Sequence, residues 1–446
     1  MTPFLISEAT AIRHPGPPPA ACDVVILGGG VLGVMTAFFL AERGVRVVLC
    51  EKGRIAGEQS SRNWGWIRQQ GRHPAELPIM VEANRIWQNL STKLPGLGFR
   101  QEGVLYLAQR EAEMAAFEAW LTHARAHGVE TRIVSAEGVR ARLSGTAGAW
   151  VGGMLTPSDA RAEPWVAVPL LAEAAAARGA VIVEQCAVRR LDIAAGKVVG
   201  VITEQGRIAC DQVLVAGGAW SSLFLRAHGV VIPQLSVLSS VAATEPLPEV
   251  FSGGACDHDF ALRRRQDGGY SLAPGYTHDF YIGPDAFRHL GVYLPTLKQD
   301  WRATKFHPAA PRGFPDAWGT PRRWSADQVS PFERQRVLNP APNLKALSKV
   351  QDAFAAAFPK LGRPRLTHTW GGMIDTMPDV IPVIDRAPIP GLTIATGLSG
   401  HGFGIGPAFG RILADLMTGK ATGHDLHPFR LSRFSDGSVI APTGAL

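Results

Sequence analysis

A glycine-rich turn between a strand and a helix constrains the fold of this sequence more than any other feature. Asp23 is followed by a continuous aliphatic run at residues 24–27, which is typical of a parallel strand buried on both faces. The turn that follows has glycines at Gly28, Gly30 and Gly33, and apolar residues then recur at helical spacing. A second short buried strand ends at Glu51. The order is therefore strand, glycine turn, helix, strand and acid.

This order predicts a dinucleotide-binding βαβ unit. The first glycine permits a tight turn, the second lets a pyrophosphate approach the backbone, and the third lets the helix pack closely on the strand. The N-terminus of the helix faces the phosphates, and Glu51 can accept hydrogen bonds from an adenosine ribose. The alternative is that the glycines only form a compact turn.

Composition excludes several other classes of protein. The chain has 446 residues, 46% of them hydrophobic and 19% charged, which indicates two or three globular domains. The 45 basic and 38 acidic residues give a net charge of +7, which is weak evidence for a nucleic-acid partner. The five cysteines are scattered and odd in number, which argues against a disulfide framework or a zinc ribbon and favours a reducing compartment. Residues 24–41 carry no charge but contain the glycines, so we do not expect a membrane span there.

The rest of the chain alternates between helical and strand-like patterns. We expect helices at about 111–127, 163–178, 344–358 and 405–417, a hairpin across Gly196, and buried strands at 213–216 and 392–395. Residues 230–340 are rich in proline, glycine and aromatic residues and indicate short antiparallel strands. The nucleotide-binding pieces are thus split by an inserted domain.

Three further segments point to a flavin rather than a nicotinamide. Small hydroxyl residues, Ser60 and Ser61, follow the ribose-binding acid and can line a groove for a pyrophosphate and a ring. Residues 216–220 let the backbone approach a cofactor at a strand end. Residues 397–404 join a buried strand to the last helix, where unpaired N–H groups would stabilise the negative charge of a reduced flavin.

These motifs resemble those of the D-amino-acid oxidase family of FAD-dependent oxidoreductases, in the branch of monomeric sarcosine oxidase, glycine oxidase and D-amino-acid dehydrogenases. The resemblance covers residues 23 to about 420. It implies an α/β fold with α+β elements, in which a glutathione-reductase-type Rossmann domain binds FAD and an inserted mixed or antiparallel sheet binds substrate. It also implies oxidation of the C–N bond of an amino acid or amine to an imine, by hydride transfer to flavin N5.

The expected domains follow from this resemblance. They are a flexible N-terminal extension at 1–21, an FAD-binding domain at 22–90, 156–228 and 342–430, a substrate-binding domain at 91–155 and 229–341, and a C-terminal tail at 431–446.

The candidate site residues fall into two groups, and no metal site is expected. Those assigned to the cofactor are Gly28, Gly30, Gly33, Glu51, Lys52, Ser60, Ser61, Arg62, Asn63, Val188, Ala216, Gly217, Trp220, Gly397, Ser399, Gly400, His401, Gly402 and Phe403. The catalytic candidates are Arg68, His401 and Tyr276. Arg68 is similar in position to an arginine that holds the substrate carboxylate, or it is a surface ion-pair residue. Tyr276 covers the flavin face, or it is simple packing.

Two departures from the family pattern bear on the chemistry. Where sarcosine oxidase has a lysine that activates oxygen, this chain has Gly404, which favours a dehydrogenase passing electrons to a quinone or carrier protein over an oxidase. Gly372 stands where the family has a cysteine that tethers the flavin, which favours noncovalent FAD.

Other functions remain as alternatives. They are a flavin-dependent 2-hydroxy-acid dehydrogenase and the FAD-binding subunit of a hetero-oligomeric amine dehydrogenase. A serine hydrolase would need a glycine where His401 follows the Ser399 turn. His123 and His127 have a zinc-like spacing but lack the glutamate of a zinc motif. We expect an amino acid or amine substrate, an electron acceptor, no nucleic acid, and a cytoplasmic location that leaves peripheral membrane contact open.

Overall fold

The computed structural model describes residues 6–440, and its strands and helices follow the alternation expected from the sequence. The strands of these residues are β1 Val24–Leu27, β2 Val47–Cys50, β3 Trp66–Ile67, β4 Val104–Ala108, β5 Arg132–Ser135, β6 Gly152–Thr156, β7 Ala160–Arg161, β8 Val181–Val183, β9 Val188–Ala194, β10 Lys197–Thr203, β11 Gly206–Ala209, β12 Gln212–Val215, β13 Leu235–Thr244, β14 Gly254–Cys256, β15 Ala261–Arg264, β16 Tyr270–Ala273, β17 His278–Tyr281, β18 Thr304–His307, β19 Leu366–Thr376, β20 Val383–Arg386 and β21 Leu392–Thr396.

The helices of the same residues lie between these strands. They are α1 Val31–Glu42, α2 Gln59–Arg62, α3 Leu77–Lys93, α4 Glu111–Ala126, α5 Ala136–Arg142, α6 Pro164–Ala176, α7 Ser221–Arg226, α8 Pro284–Arg288, α9 Leu290–Asp300, α10 Pro331–Arg334, α11 Leu344–Ala357 and α12 Gly402–Met417. None of the helices in this part of the chain is both long and apolar enough to cross a bilayer.

A six-stranded sheet carries the glycine turn. Its strand order is β20-β21-β12-β1-β2-β8, and all neighbouring pairs are parallel except β20 with β21. Every residue of β1 is buried, because α1 covers one face and the three-stranded sheet β9–β11 contributes to the core on the other. The glycine turn leaves β1 at the carboxyl edge of this sheet, where α/β folds bind their ligands.

The second large element is a ten-stranded mixed sheet. Its order is β18-β17-β13-β16-β15-β14-β4-β6-β5, and β19 also pairs with β13. Most pairs are antiparallel, whereas β14 with β4 and β17 with β18 are parallel. The expected fold class, an α/β nucleotide-binding domain with an inserted mixed sheet, is confirmed.

The stretch at 342–376 differs from the expected domain boundary. We assigned it to the FAD-binding part, but β19 pairs with β13 along ten residue pairs of the large sheet. Helix α11 also packs in the core of that sheet, with Phe354 buried against Phe260 and Tyr270. Strand β19 and helix α11 therefore belong to the large sheet, and the chain returns to the six-stranded sheet at β20.

The N-terminal segment is packed rather than free over its described part, residues 6–21. Ile6 is buried in the main core, and the backbone N–H of His14 donates to Glu184 Oε2 at 3.0 Å. Arg54 donates to the carbonyls of Thr10 and Glu8 at 2.6 and 2.9 Å. Residues 1–5 of the predicted extension lie outside the described residues.

The described part of the C-terminal tail also has buried contacts. The Arg433 guanidinium donates to Asp379 Oδ2 at 2.7 Å and to the Ile381 carbonyl at 2.6 Å. Asp379 therefore anchors the described part of the tail. Residues 441–446 lie outside the described residues.

Candidate active site

A cavity of about 400 Å³ is lined by residues of both large sheets. One end contains the glycine turn, Glu51 and Val188. The other end contains Arg68 and Tyr276. The cavity therefore joins the predicted nucleotide-binding edge to the inserted domain.

The glycine turn brings bare backbone to the cavity. Gly28 has a φ of +111°, and a Cβ there would lie 2.4 Å from the Ala216 carbonyl oxygen. A Cβ on Gly33 would lie 2.0 Å from the Gly28 carbonyl oxygen, so only glycine lets α1 pack this close to β1. The N-cap residue of α1, Gly30, has no side chain to cap the helix, and no acidic residue lies in the first turn. The positive end of the α1 dipole therefore faces the cavity and suits phosphate groups.

Glu51 lies at the carboxyl end of β2, where it closes this part of the cavity. Its carboxylate accepts hydrogen bonds from the backbone N–H groups of Gly29 and Gly53, both at 2.7 Å. Burial raises the pKa of Glu51 to about 7, against the opposing effect of the Lys52 ammonium. Hydroxyl donors from a ribose would satisfy the remaining lone pairs of this carboxylate.

A partly buried ion pair between Lys52 and Glu58 fixes the wall next to the glycine turn. The Lys52 ammonium donates to Glu58 Oε1 at 2.6 Å and lies 4.4 Å from the centre of the Trp220 ring. The Trp220 indole N–H donates to Glu58 Oε2 at 3.0 Å. Lys52 also donates to the carbonyls of Gln335 and Arg336, at 2.8 and 3.0 Å. The Lys52 ammonium therefore stabilises the cavity wall by connecting these residues.

The segment after Glu58 combines cavity-lining and structural side chains. Ser60 Oγ accepts from the Val31 N–H at 2.8 Å, at the start of α1. The Arg62 guanidinium is buried and donates to the Gly57 and Gly371 carbonyls. The Asn63 amide donates to the Ser60 carbonyl at 3.1 Å, and its Oδ1 accepts from the Gly65 N–H. Ser60 therefore belongs to the phosphate end, whereas Arg62 and Asn63 shape the turn.

The far end of the cavity is cationic and aromatic. Arg68 donates to the Gln70 carbonyl at 2.6 Å, and its guanidinium lies 5.4 Å from the centre of the Tyr106 ring. Arg72 donates through Nε to the Arg68 carbonyl at 3.0 Å, but within residues 6–440 its Nη1 has no hydrogen-bond partner. Burial, together with the charge of Arg68, lowers the pKa of Arg72 to about 9. The charge of Cys256 and burial raise the pKa of Tyr276, which lines the same end.

The loop before α12 is held by Asp375 at the end of β19. Asp375 Oδ2 accepts from the Gly397 N–H at 2.7 Å, and the Asp375 carbonyl accepts from the Ser399 N–H at 2.9 Å. Ser399 has a φ of +47°, a left-handed conformation that non-glycine residues rarely adopt. These contacts aim the uncapped N-terminus of α12 at the cavity.

His401 stands at the start of α12 and contacts a buried carboxylate. Its Nδ1 lies 3.3 Å from Glu76 Oε2, and since a carboxylate only accepts, Nδ1 is the protonated nitrogen. Burial and the charge of Arg72 lower the pKa of His401 to about 4, so the ring is neutral at pH 7. The second oxygen of Glu76, Oε1, is buried and has no hydrogen-bond partner in the described part of the chain.

A family model identifies the chain. The model described as FAD dependent oxidoreductase (DAO) matches residues 23–416. The chain belongs to this family.

Relatives and solved structures agree with this assignment. The chain is 26% identical to sarcosine oxidase subunit beta of Rhizobium meliloti (strain 1021), over 98% of this chain and 94% of the relative. It is 30% identical to the structure of L-amino acid deaminase from Proteus myxofaciens in complex with anthranilate, with a TM-score of 0.91 over 96% of this chain and 97% of that one. L-amino acid deaminase from Proteus vulgaris gives a TM-score of 0.89 at 30% identity, over 95% of this chain and 100% of that one.

The cavity fits FAD, which this family of oxidoreductases uses. The space that a Cβ would fill at Gly28 and the N-terminal end of α1 suit the pyrophosphate. Glu51 suits the adenosine ribose, and the N-terminal end of α12, at His401, suits the negatively charged part of the ring system. Among residues 6–440, no group of three His, Cys, Asp or Glu side chains is arranged to hold a metal ion.

The structure brings most of the expected site residues to this one cavity. Those that line it are Gly28, Gly30, Glu51, Lys52, Ser60, Arg62, Asn63, Arg68, Val188, Ala216, Gly217, Trp220, Tyr276, Ser399, Gly400, His401, Gly402 and Phe403. Gly33, Ser61 and Gly397 do not line it. Gly33 packs α1 on β1, Ser61 donates to the Glu58 carbonyl at 3.4 Å, and Gly397 packs against Met377.

Four residues at or beside the cavity were not identified from the sequence. Arg72 and Glu76 follow Arg68 at intervals of four, which would have indicated a shared helical face, but the segment around Arg72 is irregular. Glu58 and Asp375 reach the cavity only through tertiary contacts, and no local signal marks them. His123 and His127 lie on the exposed surface of α4 and just after it, away from the cavity lining.

Proposed function

We propose that the chain oxidises the C–N bond of an amino acid or amine to an imine, which water then hydrolyses. The relatives named as amino acid deaminase and sarcosine oxidase subunit beta support this substrate class. The observation that carries the proposal is the pair Arg68 and Arg72 at the end of the cofactor cavity. A buried guanidinium with an unused N–H group suits a substrate carboxylate.

The carboxylate would lie between these two arginines. The guanidinium is a planar fork that binds carboxylates in a bidentate manner, and the unused Nη1 of Arg72 offers one branch of such a pair. Arg68 has one branch on the Gln70 carbonyl and is stacked near Tyr106, which fixes its plane. Both residues together would orient the α-carbon toward the flavin.

Two other groups at this end, His401 and Tyr106, are neutral at pH 7. Bound FAD would supply the acceptor for the hydride of the substrate α-carbon, and the substrate nitrogen would lose a proton as the C=N bond forms. The neutral His401 ring adds no charge beside the reacting atoms. Burial raises the pKa of Tyr106 to about 12, so its hydroxyl remains neutral and can donate a hydrogen bond.

The electron acceptor in this proposal is a quinone, a carrier protein or a dye rather than oxygen. Gly404 lines the cavity in the first turn of α12 and supplies no ammonium group to stabilise reduced oxygen. A Cβ there would already lie 3.3 Å from the Ile67 Cα and the Trp66 carbonyl oxygen. Turnover with an artificial dye should exceed turnover with oxygen severalfold, and equal rates would contradict this part of the proposal.

FAD is held noncovalently in this proposal. Gly372 lines the cavity where the family pattern has a tethering cysteine, and a Cβ there would lie 2.9 Å from Gln59 Oε1. Acid precipitation should therefore release all of the yellow colour into the supernatant. Colour that stays with the pellet would show a covalent bond.

Anaerobic mixing with candidate substrates tests the reaction itself. D- and L-amino acids, N-methyl amino acids and amines should be compared with 2-hydroxy acids of the same side chain, and loss of the flavin absorbance is the readout. We expect bleaching by at least one nitrogen compound and none by its hydroxy counterpart. Bleaching by the hydroxy acids alone would replace the proposal with a 2-hydroxy-acid dehydrogenase.

A second candidate is the same activity within a hetero-oligomer. The Rhizobium relative, of which the chain spans 94%, is a beta subunit by name. If the chain acts as such a subunit, the purified protein should bind FAD but fail to bleach with any substrate until a partner subunit is added. Bleaching by the isolated chain would exclude this candidate.

A further inference from the structure

Glu76 and His401 form a contact that joins the start of α3 to the start of α12. His401 Nδ1 lies 3.3 Å from Glu76 Oε2, and Glu76 is fully buried. Burial alone would raise the pKa of Glu76, but His401 and Arg72 hold this pKa below its usual value, so the carboxylate is ionised at pH 7. An ionised carboxylate accepts the Nδ1–H bond and selects the imidazole tautomer that has its proton on Nδ1. The tautomer of His401 is therefore fixed by one buried side chain.

The second ring nitrogen of His401 is left as a hydrogen-bond acceptor. With the proton on Nδ1, the neutral ring has its lone pair on Nε2, which points away from the Glu76 contact. Within residues 6–440, Glu76 is the hydrogen-bond partner of the ring, and this contact leaves Nε2 unused. The ring lines the cavity, and 9% of the surface of His401 remains exposed. Nε2 is therefore available to a ligand group that donates a hydrogen bond.

The two arginines of the substrate end are neighbours of this acceptor. Arg68 and Arg72 line the same cavity as His401. Burial and the charges of Arg72 and Arg68 lower the pKa of the His401 ring to about 4, which shows that both guanidinium groups act on the ring. Guanidinium groups only donate hydrogen bonds, whereas the unprotonated Nε2 only accepts one. This end of the cavity therefore offers donors for a carboxylate and, beside them, an acceptor for an N–H group.

We propose that His401 Nε2 binds the substrate nitrogen through an N–H group, and that Glu76 is the positioning residue that keeps Nε2 unprotonated and turned to the cavity. The inference rests on the proposed oxidation of an amino acid or amine, and it adds the group that recognises the nitrogen. A carboxylate held by Arg68 and Arg72 and a nitrogen held by His401 fix two substituents of the α-carbon, and thereby the direction of its C–H bond. The substrate class selected is a primary or secondary amine beside a carboxylate, because an unprotonated tertiary amine has no N–H group to donate.

Two ligands that cannot be oxidised test the nitrogen contact without turnover. 2-Aminoisobutyrate and pivalate differ in one substituent of the α-carbon, an amino group in the first and a methyl group in the second, and neither has an α-hydrogen to lose. Their Kd values are measured at pH 7 with the full FAD-loaded chain, by calorimetry or from changes in the flavin absorbance. His401→Phe should weaken binding of 2-aminoisobutyrate by about 3- to 10-fold and leave the Kd of pivalate unchanged. Equal effects on the two ligands, or no effect on either, would overturn the proposal.

Glu76→Gln separates a positioning role from a structural one. Loss of the carboxylate charge makes Nε2 a weaker acceptor, which disfavours 2-aminoisobutyrate. The same loss removes a negative charge that acts on Arg72, so pivalate should bind as tightly as before or more tightly. We therefore expect the ratio of the Kd of 2-aminoisobutyrate to that of pivalate to rise by at least about threefold. A structural role would weaken both ligands equally, and an unchanged ratio would overturn the positioning role of Glu76.

A second glutamate–histidine pair provides the matched control. Glu82 Oε2, on α3, lies 2.5 Å from Nε2 of His424, in the segment after α12, and neither residue lines the cavity. Glu82→Gln should leave both Kd values unchanged, and a change of the ratio as large as that of Glu76→Gln would overturn the assignment. Failure of this inference is distinct from failure of the proposed function. If nitrogen compounds bleach the flavin but the Kd ratio does not respond to His401→Phe, the nitrogen contact alone is wrong. If no nitrogen compound bleaches it, the proposed function is wrong, and the two Kd values still decide whether His401 binds an amino group.

Discussion

Replacing Arg72 with Met should move substrate binding and protein stability in opposite directions. The Arg72 side chain is 4% exposed, and its pKa is lowered from 12.5 to about 9. At neutral pH this arginine is charged in both the folded and the unfolded chain, so its lowered pKa corresponds to an unfavourable contribution to folding of up to about 5 kcal/mol. The substitution removes this contribution but also the Nε–H bond to the Arg68 carbonyl, which contributes about 1 kcal/mol.

We therefore expect Arg72→Met to raise the free energy of unfolding by about 1–3 kcal/mol, as for other buried charges replaced by apolar residues of similar size. The same change removes a charge-assisted hydrogen bond of about 2–3 kcal/mol to the substrate carboxylate. The substrate Kd should rise by about 30- to 100-fold. Urea unfolding gives the first quantity, and the substrate dependence of anaerobic flavin reduction gives the second.

Arg72→Lys is the matched control for charge. It keeps a buried cation and loses the planar fork, so substrate binding should weaken without any gain in stability. Arg68→Ala tests the neighbouring arginine in the same assays. If Arg72→Met left the substrate Kd unchanged while Arg68→Ala raised it, Arg68 alone would be the anchor. If Arg72→Met lowered the stability by several kcal/mol, the inference of an unpaired buried charge would be wrong.

Two further predictions concern buried carboxylates. Burial raises the pKa of Glu51 to about 7, so folding favours the protonated form of this side chain. Ionisation of Glu51 should therefore lower the free energy of unfolding of the FAD-free protein by up to about 3 kcal/mol between about pH 4.5 and pH 7. Glu51→Gln should remove this pH dependence of the free energy of unfolding, measured by urea unfolding, and should weaken FAD binding. If the unaltered protein and the variant showed the same pH dependence, the role of Glu51 burial would be refuted. The Glu76 carboxylate raises the pKa of Arg72, which is about 9. Binding of a carboxylic acid that has no amine should be lost as Arg72 deprotonates near this pH. Glu76→Gln should lower the pKa of Arg72, so that binding is lost at a lower pH. If the pH dependence of carboxylic-acid binding did not change, Glu76 would have no effect on the pKa of Arg72.

Local signals were sufficient to predict the nucleotide-binding edge. Strand β1 is aliphatic throughout, and the need for glycine at Gly28 and Gly33 arises from contacts within the βαβ unit and with the adjacent strand end. Such contacts join neighbouring elements, and the pattern of residues therefore carries the information. The glycines of the loop before α12 also indicated a cofactor contact, although the conformation of this loop depends on Asp375.

Strand β19 could not be predicted in the same way. It contains the pair Gly371 and Gly372 and several polar residues, which weaken any strand pattern. Its partner β13 lies far away in the sequence, and a Cβ on Gly371 would lie 2.8 Å from Leu238 Cδ1 of that strand. This close approach explains Gly371, and it exists only after the two strands have paired.

The orientation of α9 and the role of Arg72 could also not be predicted from the sequence, because both depend on tertiary contacts. Apolar spacing indicates a helix but does not say which side faces the core, and here the inward contacts of Tyr293 and Thr296 decide it. Arg72 looks like any other arginine in the sequence. Its importance comes from burial beside a second guanidinium, which depends on the packing of both sheets.

The packed N-terminal segment has a practical meaning for anyone who trims the chain. Arg62, on the cavity wall, donates to the Ile6 carbonyl, and Arg54 relies on Thr10 and Glu8. Removal of the residues before 22 would leave the buried Arg54 and Arg62 guanidinium groups without these acceptors. Each lost hydrogen bond should lower the free energy of unfolding by about 1–3 kcal/mol. A chain shortened in this way should therefore retain less FAD after purification than the intact chain, which would be visible as a weaker yellow colour.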